Sequence, residues 1–198
     1  MNQNNKSANK LLSDSMQRQA ELTLTDAAAG IAFETEALIN RNFDLSKNFA
    51  ALLGATAHGS KLPSYTREQV QAMAGELLAA NQGISSIYGQ FEPNGYDQAD
   101  ANFNLEQSHS SKTGTLEIYW VREQQQLKFV QTPDPAVKYA EKKNEFGIRE
   151  AEWYLCSKDS KKACLMEPYQ WEITPGNTVL LTSLVSPVLV NGEFRGVA

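Results

Sequence analysis

Thr178-Val179-Leu180-Leu181-Thr182-Ser183-Leu184-Val185-Ser186-Pro187-Val188-Leu189-Val190-Asn191-Gly192-Glu193-Phe194-Arg195-Gly196-Val197 is the stretch on which the fold turns. Apolar, β-branched residues run as far as Val190, stop at Asn191-Gly192 and resume. Asn-Gly tolerates positive φ at both central positions, the requirement of a two-residue hairpin. The stretch therefore predicts a strand over 178–190 and an antiparallel partner from Gly192 onward. Further back, Ile84 to Phe91, Thr115 to Arg122 and Gln126 to Gln131 are strand-like runs. Pro93-Asn94-Gly95, Pro133-Asp134-Pro135 and Thr174-Pro175-Gly176-Asn177 supply turn chemistry.

Ahead of these strands the pattern is helical. No proline occurs between Ser7 and Leu53, and Gly30 is the only glycine before Gly54. Leu24, Ala28, Ile31, Thr35, Leu38, Asn42, Leu45, Phe49 and Leu52 alternate spacings of four and three, the seam of a helix that packs on another helix or on a sheet. One long helix follows; two shorter ones broken near Gly30 are the alternative. Gly54 to Tyr65 reads as a loop. Ser64 or Thr66 can cap a second helix over Arg67 to Asn81, closed by Gln82-Gly83. Helices followed by antiparallel strands make an α+β chain, with a helix over 1–57 and a lobe over 58–198.

The composition fits a folded globular unit, with 41% hydrophobic and 21% charged residues in 198. Eighteen basic against 23 acidic side chains give a net charge of −5, which argues against a nucleic-acid partner. No apolar run is long enough to span a bilayer, and the first thirty residues lack a signal-peptide pattern. The start, Met1 to Asn5, and the end at Phe194 to Ala198 read as the limits of an excised piece, with Val197-Ala198 as a strand cut short.

Cys156 and Cys164 flank a charged stretch that includes Lys158, Asp159, Lys161 and Lys162. The spacing suits a loop disulfide and so an oxidising compartment, with two separate thiols as the alternative. Neither His58 nor His109 stands at ligand spacing from them, so a zinc site is not expected. Both histidines lie in glycine- and serine-rich surroundings and read as solvated loop residues. A nucleophile elbow, a paired-histidine zinc motif, a dinucleotide fingerprint and an EF-hand loop are absent, and no enzyme activity or cofactor is expected.

Ile87 to Asp97 with Tyr119-Trp120-Val121-Arg122, Glu152-Trp153-Tyr154, Glu167-Pro168-Tyr169, Leu181 to Val188 and Asn191 to Val197 together resemble the double-Cache sensor family. The resemblance covers the whole chain. It implies a long N-terminal helix and a membrane-distal, PAS-like Cache lobe with an antiparallel sheet flanked by helices. It also implies the periplasmic part of an inner-membrane chemoreceptor that binds a small molecule and dimerises through the long helix. The sensor of a histidine kinase or cyclic-dinucleotide enzyme is one alternative, and a dimerisation module that binds nothing is another. In amino-acid-binding members a tyrosine, an arginine, a tryptophan, a second tyrosine and an aspartate hold the ligand. Trp153 and Tyr169 match with the family's separation of sixteen. Phe146, Ala151 and Trp171 replace the first tyrosine, the arginine and the aspartate, and a further aspartate falls beyond Ala198.

The same residues describe a pocket from below. Ile148, Trp153, Tyr169 and Trp171 are candidate walls, with Tyr119 and Phe146 as further aromatic contacts; Arg149, Arg122, Glu152 and Glu172 are candidate charges. An aromatic face attracts an ammonium by about 0.5–2 kcal/mol. An amine, an amino acid or a small carboxylate is the expected ligand class. The alternative is that Trp153 and Tyr169 are core and Trp171 a half-buried strand residue.

Overall fold

A computed structural model describes residues 2–174 and 176–198, with the side chains of 2–5, 173 and 174 outside the description. Pro175 of the predicted 174–177 turn likewise lies outside the described residues. The chain divides into two units, residues 1–41 and 42–198. Helix α1, Asn2–Thr56, begins in the first and ends in the second. In the first unit Gly30 lies within the helix, and Leu11, Met16, Leu24, Ile31, Phe33 and Leu38 are exposed. Thr23, Thr25 and Thr35 turn their hydroxyls back onto carbonyls four residues earlier, at 2.8–2.9 Å.

The second unit begins at Asn42, and Phe49, Ala50, Leu53 and Ala57 belong to its core. Helix α2, Arg67–Ala80, follows. The Thr66 hydroxyl accepts from Gln69 N while Gln69 Oε1 accepts from Thr66 N, a capping box that satisfies two otherwise orphan donors. The helix ends at Asn81, one residue before Gln82-Gly83, and buries Val70, Ala74 and Leu78 along one stripe.

Five strands form an antiparallel sheet: β1 Ser86–Phe91, β2 Glu117–Glu123, β3 Gln126–Phe129, β8 Pro187–Val190 and β9 Glu193–Val197, in the order β3-β2-β1-β9-β8. Asn191 and Gly192 join β8 to β9 with φ of 53° and 80°, the hairpin the dipeptide predicts. Single strands do not cover 178–190. That stretch breaks into β6 Asn177–Leu181, β7 Leu184–Val185 and β8, because each piece has a different partner. β6 pairs with β5 (Tyr169–Thr174), β7 with β4 (Cys164–Leu165), and β8 with β9. A helix that the sequence reading does not contain, α3 Glu152–Ser160, precedes β4 in the chain.

Strand alternation sends the sheet's side chains to two cores. Ile87, Phe91, Ile118 and Trp120 join α2 and the end of α1. On the opposite face Tyr88 meets the cluster of α3, Tyr169 and Phe194. A disulfide joins Cys156 of α3 to Cys164 of β4.

His109 corrects the reading of a solvated loop residue. It is 2% exposed, with Nδ1 2.8 Å from Ser110 Oγ, Nε2 3.3 Å from Glu68 Oε1 and its ring edge-on to Phe103. The loop around it is folded over Arg67. That buried guanidinium donates to Asp97, Asp100 and Ser110 and is stacked 4.0 Å over Phe103.

Candidate functional site

The register of β1 against β2 sets Tyr88 opposite Tyr119 on the sheet face away from α2. Over them lies the β5–β6 ribbon, which contributes Tyr169, Trp171 and Leu181, and α3 contributes Trp153. With Ser86, Gln90, Thr132, Val137 and Ser183 these enclose a cavity of about 70 Å³. Five aromatic rings dominate the wall, and among the described residues no charged side chain lines it.

The rings hold one another in place. Trp153 stands edge-on to Tyr88 at 5.6 Å, and Tyr169 edge-on to Trp171 at 6.3 Å. Trp171 Nε1 donates to Tyr119 Oη at 3.1 Å, and the Tyr169 and Ser183 hydroxyls are 2.7 Å apart. Burial pushes the phenols of Tyr88, Tyr119 and Tyr169 up, that of Tyr119 to about 12, so all three are neutral hydrogen-bonding groups. Among the lining residues Gln90 Oε1 is buried with no hydrogen-bond partner among the described residues.

Of the residues singled out from the sequence, Tyr119, Trp153, Tyr169 and Trp171 come together at this cavity. The rest do not line it. Arg149 forms a surface cluster, bonding Glu152 at 2.6 and 3.1 Å and Asp159 at 2.7 Å, partners that raise its pKa; Glu152 is thereby occupied as well. Arg122 closes α2 instead, donating to the carbonyls of Leu78, Asn81 and Ile84 as a cation suits a helix C-terminus. Glu172 accepts from Gly176 N at 2.7 Å near the ribbon's turn. Phe146 is 77% exposed, and Ile148 belongs to the same loop. Tyr88, Gln90 and Ser183 are among the lining residues that reasoning from sequence missed. Tyr88 and Gln90 alternate along a predicted strand, yet only the pairing with β2 shows which face they take.

A wider groove runs along α2 on the other sheet face, lined by Glu68, Gln71, Gly75, Glu76, Trp120 and Leu127 and open to solvent. It shares no residue with the aromatic cavity.

No protein-family profile matches the chain. Among curated proteins it is similar to the methyl-accepting chemotaxis protein TlpQ of Pseudomonas aeruginosa, 26% identical over 140 residues, which is 66% of this chain and 18% of that receptor. Among solved structures it matches Methyl-accepting Chemotaxis protein X with a TM-score of 0.65 at 22% identity, covering 86% of this chain and 57% of that one. The extracellular domain of the histidine-kinase candidate mmHK1S-Z2 gives a TM-score of 0.65 at 20% identity, covering 83% and 53%.

The chain shares the fold of these two structures, one of them a histidine-kinase candidate's extracellular domain.

In this fold the sheet and the ribbon are the walls of the cavity, and α3 supplies one side. The chain spans about a fifth of the chemotaxis protein it matches and just over half of the two structures. Among the described residues no helix is long and apolar enough to cross a membrane.

Proposed function

We propose that this chain is the ligand-binding sensor lobe of a bacterial chemoreceptor, exposed outside the cytoplasm, and that the aromatic cavity takes a small amine-bearing ligand. The observation that carries this reading is the wall itself: Tyr88, Tyr119, Trp153, Tyr169 and Trp171 around a space with no charged side chain among the described residues. Ring faces attract an ammonium, and Gln90 Oε1 lacks a donor that an amine would bring. A carboxylate ligand finds no cation in the lining, since Arg149 and Arg122 are engaged elsewhere. Ordinary α-amino-acid recognition is not expected, because Trp171 stands where the resembling receptors carry an aspartate. The disulfide supports an oxidising, periplasmic setting.

Binding does no chemistry. It biases a conformational equilibrium by the ligand's differential affinity for the two states, and the signal leaves through a dimer of long helices. A thermal-shift screen against primary amines, polyamines, quaternary amines, amino acids and small carboxylates tests the reading. A saturable rise confined to amines is expected. A rise only with carboxylates would exchange the ligand class, and silence throughout would favour a dimerisation module. The likeness to the histidine-kinase candidate's extracellular domain supports one second reading, the same lobe set before a kinase output.

A further inference from the structure

β1 and β2 place Gln90 directly opposite Glu117, on the sheet face that carries Tyr88 and Tyr119. Gln90 lines the cavity; Glu117 is 0% exposed and lies two residues along the strand from the cavity's Tyr119. One carboxylate oxygen of Glu117 is fully used. Its Oε1 accepts from Lys138 Nζ and, at 2.8 Å, from Thr115 Oγ1, and the buried Lys138 also donates to Phe91 O. The other oxygen, Oε2, has no partner among the described residues, and neither has Gln90 Oε1. A buried acceptor left unpaired is expensive, the more so on a charged group, and native folds rarely leave two on neighbouring residues. Cross-strand partners have Cβ atoms about 5 Å apart, close enough for one small donor group to serve both. A hydroxyl has a single hydrogen to give, whereas a primary ammonium has three.

We propose that Gln90 Oε1, at the cavity wall, and Glu117 Oε2, buried beside it on the neighbouring strand and outside the lining, together receive the nitrogen of a primary amine. This rests on the amine-sensor reading above and adds the chemistry of recognition: the rings enclose the carbon body, and the oxygen pair selects for N–H groups. Lys138 positions the carboxylate by occupying Oε1. Among neighbours of equal size, the lobe then favours the one that offers several hydrogens.

Isothermal titration of the folded lobe with n-butylamine and with n-butanol tests this. Wild type is expected to prefer the amine by tenfold or more. Glu117→Gln and Gln90→Leu should each weaken butylamine at least tenfold and leave butanol within about twofold. Gln90→Leu keeps the Glu117–Lys138 pair intact, and Glu117→Gln combined with Lys138→Gln leaves no buried lone charge, so loss of folding in one variant does not end the test. An amine preference that survives all three variants overturns the inference while the aromatic cavity stands. A wild type that binds no butylamine at millimolar concentration overturns the amine reading and the inference with it.

Discussion

At the scale of single residues, what decides the site is which side chains have already found partners. Arg149, Arg122 and Glu172 are charged and close in sequence to aromatic residues, which made each a candidate. All three are consumed by nearby structure: a surface ion cluster, a helix end and a turn. Trp171, by contrast, spends only its N–H, on Tyr119 Oη, and keeps its ring as wall. Glu117 gives this scale its pH prediction. Burial pushes its carboxyl up to about 7 from an ordinary 4.5, against the pull of Lys138. A carboxyl whose folded pKa is raised contributes stability that is complete below the unfolded value and is lost as pH rises through the folded one. Denaturant unfolding between pH 4 and 8 should therefore show wild type losing stability relative to Glu117→Gln as pH rises from about 4.5 to 7. A difference that does not change with pH would contradict the assignment.

At the scale of elements, α2 and the β8–β9 hairpin were legible because their signals are local: Thr66 with Gln69 closes a capping box, and Asn191-Gly192 permits one kind of turn. α3 was not, since nine residues with three adjacent large apolar side chains, Trp153, Tyr154 and Leu155, have no clear helical period. The break of 178–190 into three strands was hidden for a different reason. Its residues suit any strand, and only the partners, which change from β5 to β4 to β9, divide it. The disulfide matters here because it ties α3, and hence Trp153, to β4. Closing a loop of this length stabilises by about 2–3 kcal/mol in the chain-entropy treatment. Reduction is expected to lower unfolding stability by that amount in wild type and to leave the Cys156→Ser, Cys164→Ser double variant unchanged. Two free thiols in non-reduced, periplasmically expressed protein would remove the premise.

At the scale of the whole molecule, the sequence pattern reached the α+β class and four of the cavity's aromatic walls; the floor waited on strand pairing, which juxtaposes Tyr88 and Tyr119. The exposed Leu24, Ile31 and Leu38 follow the apolar seam of α1 within the first unit. An unpartnered stripe of that kind favours a second helix against it. Sedimentation equilibrium should detect a dimer that Leu24→Glu with Ile31→Glu dissociates, whereas a strict monomer at the highest concentrations would count against pairing through this helix. The central claim is that the space between sheet and ribbon holds the ligand. Once an amine from the thermal-shift screen is in hand, its isothermal titration against wild type, Trp153→Ala and Tyr169→Ala is the most direct test. Removing either ring from the wall should cost about 1–3 kcal/mol of binding, a ten- to hundredfold loss of affinity in a folded variant. Unchanged affinity in both variants would place the ligand elsewhere and leave these rings as core.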